Sequence, residues 1–348
     1  MLTRLKRRLS FLPGRAAVPA VPLTPAFPGY ICLETTNACN LRCRQCLYKG
    51  GTTGHYARKV TNMDTELAFL VLDQLQEYGC GVMLNGDGEA LLHPQFHAIA
   101  GRAAQLRLPN VYFNTNGTLL SPAFTDALVA YFRGAVAISL DGFKESHERL
   151  RVGSSYETVI GHIEYLLGAV QSSGAEITVS VSYCNYDQPE GERGEFVKYW
   201  VERVDAVSVG EVYDEKYQMI SRPLNIKEGQ QRLRCGVPWE TFIVRSDGSV
   251  VPCSNCFASA DEALVVGDAR KQSLPDIWRG EKFQAWRDRM AAGAYTGTVC
   301  ETCGRWAMYV LLPDEIQGDV KISRTGVFTT YRKTATQERL KDAGMAGR

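Results

Sequence analysis

A surplus of charge of either sign is the first thing this sequence lacks: 39 Lys and Arg face 38 Asp and Glu, leaving +1. Such a balance offers a polyanion no broad attraction, so neither nucleic acid nor a membrane surface is an expected partner. No run approaches the roughly 18 apolar residues that would suggest a membrane span. The basic start "MLTRLKRRLSF" is followed by prolines before a signal-peptide core can form. Residues 1–28 therefore read as a flexible lead-in. Internal repeats and low-complexity blocks are also missing. What remains is ordinary globular composition, 45% apolar and 22% charged, in 348 residues that suit one large domain plus a smaller one.

Cysteine is abundant. Seven of the eleven fall in close sets: Cys39, Cys43 and Cys46; Cys253 and Cys256; Cys300 and Cys303. Cys235 stands alone, as do Cys32, Cys80 and Cys184, which sit in or beside predicted elements and read as packing residues. Clustered thiols in a long chain without a secretory signal favour metal or redox chemistry over disulfides, with structural zinc as the competitor.

From residue 30 to about 210, strand-like and helix-like segments alternate. The predicted strands are "YICLET", "GVMLN", "VYFNT", "AVAISL", "EITVSVS" and "VDAVSVG". Amphipathic stretches at 64–78, 94–106, 122–132, 155–172 and 192–202 separate them. Six strands joined through helices predict a parallel sheet with right-handed crossovers, as a barrel or a doubly wound sheet. Chemistry then sits at the carboxyl ends of the strands. There the sequence places the three-cysteine loop, "GDGE", "NTNG" and "SLDG", after strands one to four. Beyond "RPLNIKEGQQ" the pattern changes to a hairpin, "TFIVRSDGSVVPC", a helix near 275–291 and a cysteine pair. The expected division is a lead-in 1–28, a barrel 29–225, a small cysteine module 230–310 and a tail 311–348.

Why three thiols in "CNLRCRQC" rather than four? An ordinary [4Fe–4S] site gives each iron one cysteine. Supplying three leaves one iron open to bind a small molecule, as an open position distinguishes catalytic from structural zinc. The stretch resembles the signature of the radical S-adenosylmethionine (radical SAM) family. The resemblance implies a partial (β/α)6 barrel of the TIM type, a [4Fe–4S] cluster on Cys39, Cys43 and Cys46, and SAM chelated by the open iron. It also implies cleavage of SAM to a 5′-deoxyadenosyl radical that removes a hydrogen atom from substrate. "NGDGEALLHP" looks like the family's loop for the SAM amino group, with Gly86 and Gly88 allowing close backbone approach and Glu89 accepting a hydrogen bond. It departs from the family in having Ala90 where proline is common. "SLDGFKESHERLRVG" resembles the segment that holds the SAM carboxylate and ribose, through Ser139 and Arg151. "FNTNG" offers Asn114 and Asn116, either of which could contact the cofactor.

The spacing from Cys235 through Gly248 to Cys253 resembles the opening of the family's SPASM and twitch extensions. Five cysteines after residue 230 are too few for a full SPASM set of seven. The resemblance therefore implies a twitch-like module with one auxiliary [4Fe–4S] cluster on Cys235, Cys253, Cys300 and Cys303. The layout is similar to that of the family's aminocyclitol dehydrogenase. Zinc on the same four thiolates is the alternative. Cys256 is a spare thiol, a replacement ligand or a hydrogen-atom donor to a substrate radical.

The expected reaction removes hydrogen from a carbinol carbon of a small polyol, sugar or aminocyclitol of secondary metabolism, such as antibiotic biosynthesis. Electron loss to the auxiliary cluster gives a ketone; hydrogen return from Cys256 gives an epimer; a sugar acid could lose CO2. Modification of a peptide or protein is the other class, disfavoured because fewer than thirty residues precede strand one and no leader-binding domain is seen. A bare iron–sulfur carrier would leave the SAM-contacting groups idle. Glu211, Asp214, Glu215, Arg245 and Trp239 are candidate late-barrel or module groups for proton transfer. Oxygen-sensitive clusters imply a reducing, cytoplasmic setting and an electron donor such as flavodoxin or ferredoxin.

Overall fold

The computed structural model describes residues 24–46, 58–211, 213–214, 219–220, 231–257, 259–301, 303–336 and 338. All six predicted strands form: β1 (Tyr30–Leu33), β2 (Gly81–Met83), β3 (Tyr112–Thr115), β4 (Gly134–Ser139), β5 (Ile177–Asn185) and β6 (Ala206–Glu211). They pair in parallel in sequence order. Between them lie α1 (Thr65–Glu77), α2 (Phe96–Gln105), α3 (Pro122–Val129), the short α4 (Lys144–Leu150), α5 (Tyr156–Ser173) and α6 (Glu192–Trp200). Local chemistry sets several helix starts. Asp64 caps α1 by accepting from the Glu66 and Leu67 amides, and Ser155 caps α5 through Thr158 N.

One face of β3–β6 packs Phe113, Val136, Ile138, Val181 and Val207 into the main core with Leu72, Ile99, Leu128 and Ile163 from the helices. The alternate residues therefore face inward. Ser139, Ser182, Ser208 and Thr330 are successive cross-strand partners on that inner face, a row of hydroxyls.

A two-stranded ribbon, β7 (Tyr213–Asp214) with β8 (Met219–Ile220), leaves the barrel. The expected boundary at 225–230 lies outside the described residues. The module then opens with the hairpin of β9 (Ile243–Val244) and β10 (Ser249–Val251), and β11 (Gly267–Asp268) follows. Gly248, at φ +84°, supplies the left-handed position of that turn. The hairpin is not a detached unit, because β9 pairs in parallel with β1 and continues the barrel sheet. The helix expected at 275–291 is two, α7 (Leu274–Arg279) and α8 (Glu281–Ala291), broken at Gly280.

The expected tail 311–348 is a correction. β12 (Glu315–Gln317), β13 (Val320–Arg324) and β14 (Phe328–Lys333) form an antiparallel meander whose last strand pairs with β6. The result is one twelve-stranded sheet with both barrel edges extended by later chain. An unpaired β6 would expose a row of amides and carbonyls; β14 satisfies them. Among the described residues no helix is long and apolar enough to cross a membrane.

Candidate active site

The cysteine loop after β1 is seated from two sides. Arg42 N and Arg44 N donate to Val152 O and Leu150 O at the end of α4, at 3.0 and 2.8 Å. On the other side Glu89 N donates to Ala38 O at 2.7 Å. That approach needs the two glycines of "GDGE". A Cβ on Gly88 would stand 2.3 Å from Ala38 O, and one on Gly86 would stand 2.3 Å from Glu34 Cγ. The glycines thus let the β2 loop close on the chain's own β1 and cysteine loop.

Glu89 is buried and its carboxylate accepts from Thr115 Oγ1 at 2.7 Å, Asn116 N at 2.6 Å and Leu91 N at 3.3 Å. Burial raises its pKa and these donors oppose the rise. Asn116 is committed as well: its amide donates to Asn40 Oδ1 and its oxygen accepts from Thr118. Asn114 lies on the inner face and is exposed. Ser139 ends β4 on the same face, with Ser182 Oγ 3.5 Å away.

Arg151 pairs with Asp141 at 2.7 Å and points a second nitrogen at Cys43 Sγ, 4.0 Å away. Burial pushes the Cys43 thiol up to about 12, with Arg151 opposing and Cys46 and Cys39 adding to the rise. Burial thus disfavours the ionised form of Cys43; a bound iron would hold it, with Cys39 and Cys46, as a thiolate.

The second cysteine set converges. Cys235, Cys253, Cys300 and Cys303 line one cavity with Arg232, Asn255, Trp286, Met290, Arg305 and neighbouring residues. Among the described residues no three Cys, His, Asp or Glu side chains gather as a single-ion site. Four thiols lining one cavity are the donor set of a closed iron–sulfur cluster, and equally of a structural zinc ion. Cys256 is fully buried with its Sγ 3.6 Å from that of Cys253, amid Trp239, Ile243 and Val251.

A further cavity of about 290 Å³ joins the two halves. Tyr30, Cys32 and Met83 come to it from the inner face of β1 and β2, and Glu240, Thr241, Ser254, Arg305 and Tyr309 from the module. Tyr309 Oη donates to Glu240 Oε2 at 2.9 Å. Glu240 is raised from the usual carboxylate value, chiefly by desolvation, with the Tyr309 bond opposing. Sequence reasoning missed this pair. Glu240 follows "CGVPW" and Tyr309 lies in a 3-10 turn, Arg305–Tyr309, with no motif around either. Cys32 packs as expected, buried against Trp239, Ile243 and Val251, and also borders the cavity; its thiol donates to Asn85 O at 2.7 Å, and burial pushes its pKa well up. Of the proton-transfer candidates, Arg245 is buried and bonded to Cys256 O and Ser259 O, and Trp239 is buried in the module core. Glu211 and Asp214 fall in β6 and β7, and Glu215 lies outside the described residues.

The Radical SAM superfamily model matches residues 33–198, the stretch that carries the cysteine loop and the strand-end motifs. Residues 33–198 are a radical SAM domain. The SPASM model, an iron–sulfur cluster-binding domain, matches 235–304. The cofactors of this radical SAM enzyme are accordingly SAM, the [4Fe–4S] cluster that binds it and an auxiliary [4Fe–4S] cluster. A tungsten-containing aldehyde ferredoxin oxidoreductase cofactor-modifying protein of Pyrococcus furiosus is 24% identical, over 74% of this chain and 83% of that protein. A mycofactocin maturase of Mycolicibacterium smegmatis is 30% identical, over 45% of this chain and only 39% of its own length. Among solved structures, BtrN in complex with AdoMet and 2-DOIA aligns at TM-score 0.53 and 18% identity, covering 80% of this chain and 93% of that one. Streptococcus suis SuiB bound to S-adenosylmethionine aligns at TM-score 0.61 and 16% identity, covering 75% and 68%. At such identities these structures establish the shared fold.

Proposed function

We propose that this radical SAM enzyme oxidises a secondary alcohol of a small, hydroxyl-rich molecule held in the cavity between barrel and module. The observation that carries the reading is the wall of that cavity. Ser254 and Arg305, each within two residues of a cysteine of the four-thiol set, face it together with the Glu240–Tyr309 pair. The bound groups supply two acceptors, an adenosyl radical for one hydrogen atom and a closed auxiliary cluster for one electron. What the chain must add is an acceptor for the remaining hydroxyl proton, and Glu240 is placed for it. Tyr309 orients the carboxylate, and desolvation makes it a stronger base than an ordinary glutamate. Cys39, Cys43 and Cys46 hold the first cluster in this reading, and Cys235, Cys253, Cys300 and Cys303 the second. Gly86, Gly88, Glu89, Asn114, Ser139 and Arg151 form the SAM side. The inner row Ser139, Ser182, Ser208 and Thr330 gives a polar ligand partners. An external flavodoxin- or ferredoxin-type donor delivers the first electron.

Cys256, enclosed beside Cys253, is poorly placed to return hydrogen to a substrate radical. Cys32, on the cavity wall, is the thiol that an epimerisation would use. Peptide modification is the second reading, favoured by the likeness to SuiB, which has been solved bound to its precursor peptide SuiA.

The test is anaerobic incubation with SAM, reductant and a panel of polyols, aminocyclitols and peptides carrying deuterium at candidate carbons. Deuterium in 5′-deoxyadenosine together with a ketone product supports the reading; an epimer, or label transfer from peptides alone, refutes it. Replacing Cys39, Cys43 and Cys46 by Ala should remove about half of the roughly eight irons that two [4Fe–4S] clusters hold and abolish SAM cleavage.

A further inference from the structure

Asn255 occupies the short turn between Cys253 and Cys256, in the 3-10 segment Ser254–Cys256. Its side chain leaves that turn and crosses the four-cysteine cavity, where Nδ2 donates to Cys303 Sγ at 2.8 Å. The Arg305 amide reaches the same sulfur at 3.4 Å. Two cations flank the set. Arg232 and Arg305 both line the cavity, and Arg232 is fixed by Cys300 O at 2.6 Å, Glu301 O at 2.8 Å and the Tyr295 ring at 4.0 Å.

Hydrogen bonds donated to a ligating sulfur draw electron density from it, and nearby positive charge favours the more negative state of a cluster. Both effects stabilise the reduced form, so they raise the reduction potential. Backbone amides around cysteines arise from the loop's own geometry. Asn255 is different: its side-chain amide reaches from the turn that follows Cys253 to the sulfur of Cys303, 48 residues on in the chain. Ser254 and Arg305, its neighbours on the substrate side, face the larger cavity.

We infer that Asn255 is a redox-positioning residue, whose Nδ2–H···Sγ bond to Cys303 holds the auxiliary cluster's potential high enough to accept an electron from the cavity. The inference rests on the proposed four-cysteine cluster, and the experiment separates the two. The full chain, anaerobically reconstituted, is titrated potentiometrically by EPR; the auxiliary signal is the one lost in Cys235→Ala. Asn255→Leu removes the donor, and Asn255→Asp removes it and adds negative charge in the same volume. Asn255→Gln keeps an amide.

The expected result is an unchanged iron and sulfide content with a lowered auxiliary midpoint, larger for Asp than for Leu and partly restored by Gln. A tenfold change in the oxidised-to-reduced ratio at fixed potential corresponds to about 59 mV for a one-electron couple. The midpoint of the cysteine-loop cluster should not move. An auxiliary midpoint unmoved by Asp and Leu overturns the inference. Loss of auxiliary iron in all three variants also overturns it, since Asn255 would then be a support for assembly. If the wild-type chain binds only about four irons, with zinc on the second set, the cluster reading itself fails whatever the Asn255 variants do.

Discussion

Single residues decide which chemistry the cavity can perform. Glu240 touches no motif, yet partial desolvation raises its pKa against the opposing Tyr309 bond. Only its ionised form accepts a proton, and its raised pKa moves the acid limb of the rate profile above that of an ordinary glutamate. Glu240→Gln is expected to lower kcat by ~10²–10⁴-fold, the usual worth of a positioned base, and to abolish that limb. A pH profile of ketone formation checks this; an intact limb in the Gln variant assigns the proton elsewhere. Stability responds with its own sign. The folded protein holds the Glu240 proton to higher pH than the unfolded chain, so this group's contribution is full below the ordinary glutamate value. It is lost as pH rises through the raised one. The Gln variant lacks that loss.

At the scale of elements, two loops that follow different strands are locked into one surface. The cysteine loop after β1 and "GDGE" after β2 meet where Gly88 admits Ala38 O, with Glu89 tying both to the start of the β3 loop. Ala at 88 would put its methyl 2.3 Å from that oxygen and 2.7 Å from the Thr36 carbonyl, both backbone atoms with nowhere to move. Gly88→Ala is expected to spare the auxiliary cluster and impair the first one. Iron content should fall toward half and SAM cleavage should be lost, read by iron analysis and 5′-deoxyadenosine release. Full iron with normal cleavage would show that the loop relaxes. The spacing of "CNLRCRQC" and the order of the strand-end motifs made this surface legible, because each side chain lies within a few residues of a strand end. What the glycines are close to was not legible: Gly88 faces backbone of the cysteine loop and Gly86 the Glu34 side chain, which only the folded strands bring near.

For the whole molecule the critical joint is between barrel and module. Glu34, fully buried at the end of β1, binds Arg58 through both oxygens at 3.1 and 2.8 Å and accepts from Ser246 N and Oγ at 2.8 and 2.9 Å. Arg58 also reaches Phe257 O at 3.1 Å. Barrel, connecting loop and hairpin thus share one buried ion pair. Removing one partner of such a pair typically costs ~3–5 kcal/mol, because the other charge stays buried alone. Glu34→Ala should therefore lower the unfolding free energy by that order and loosen hydrogen exchange at β9 and β10 as well as β1. Loosening of β1 alone would mean that the two halves are joined elsewhere.

Local sequence determined the six strands, five of their helices, the Asp-Gly hairpin and the three close sets of thiols. Each depends on periodicity, capping or spacing within one segment, and short-range physics carries that information. Tertiary structure decided the remainder. It placed β9 beside β1 and β14 beside β6, turning an expected tail into the far edge of the sheet. It brought Cys235 together with Cys303, Tyr309 to Glu240 and Asn255 to Cys303. Those contacts join positions that are 48 to 69 residues apart, or edges of a sheet that close late in the chain. No local pattern encodes them, because an unpaired edge or a lone carboxylate finds its partner only when the whole chain has folded.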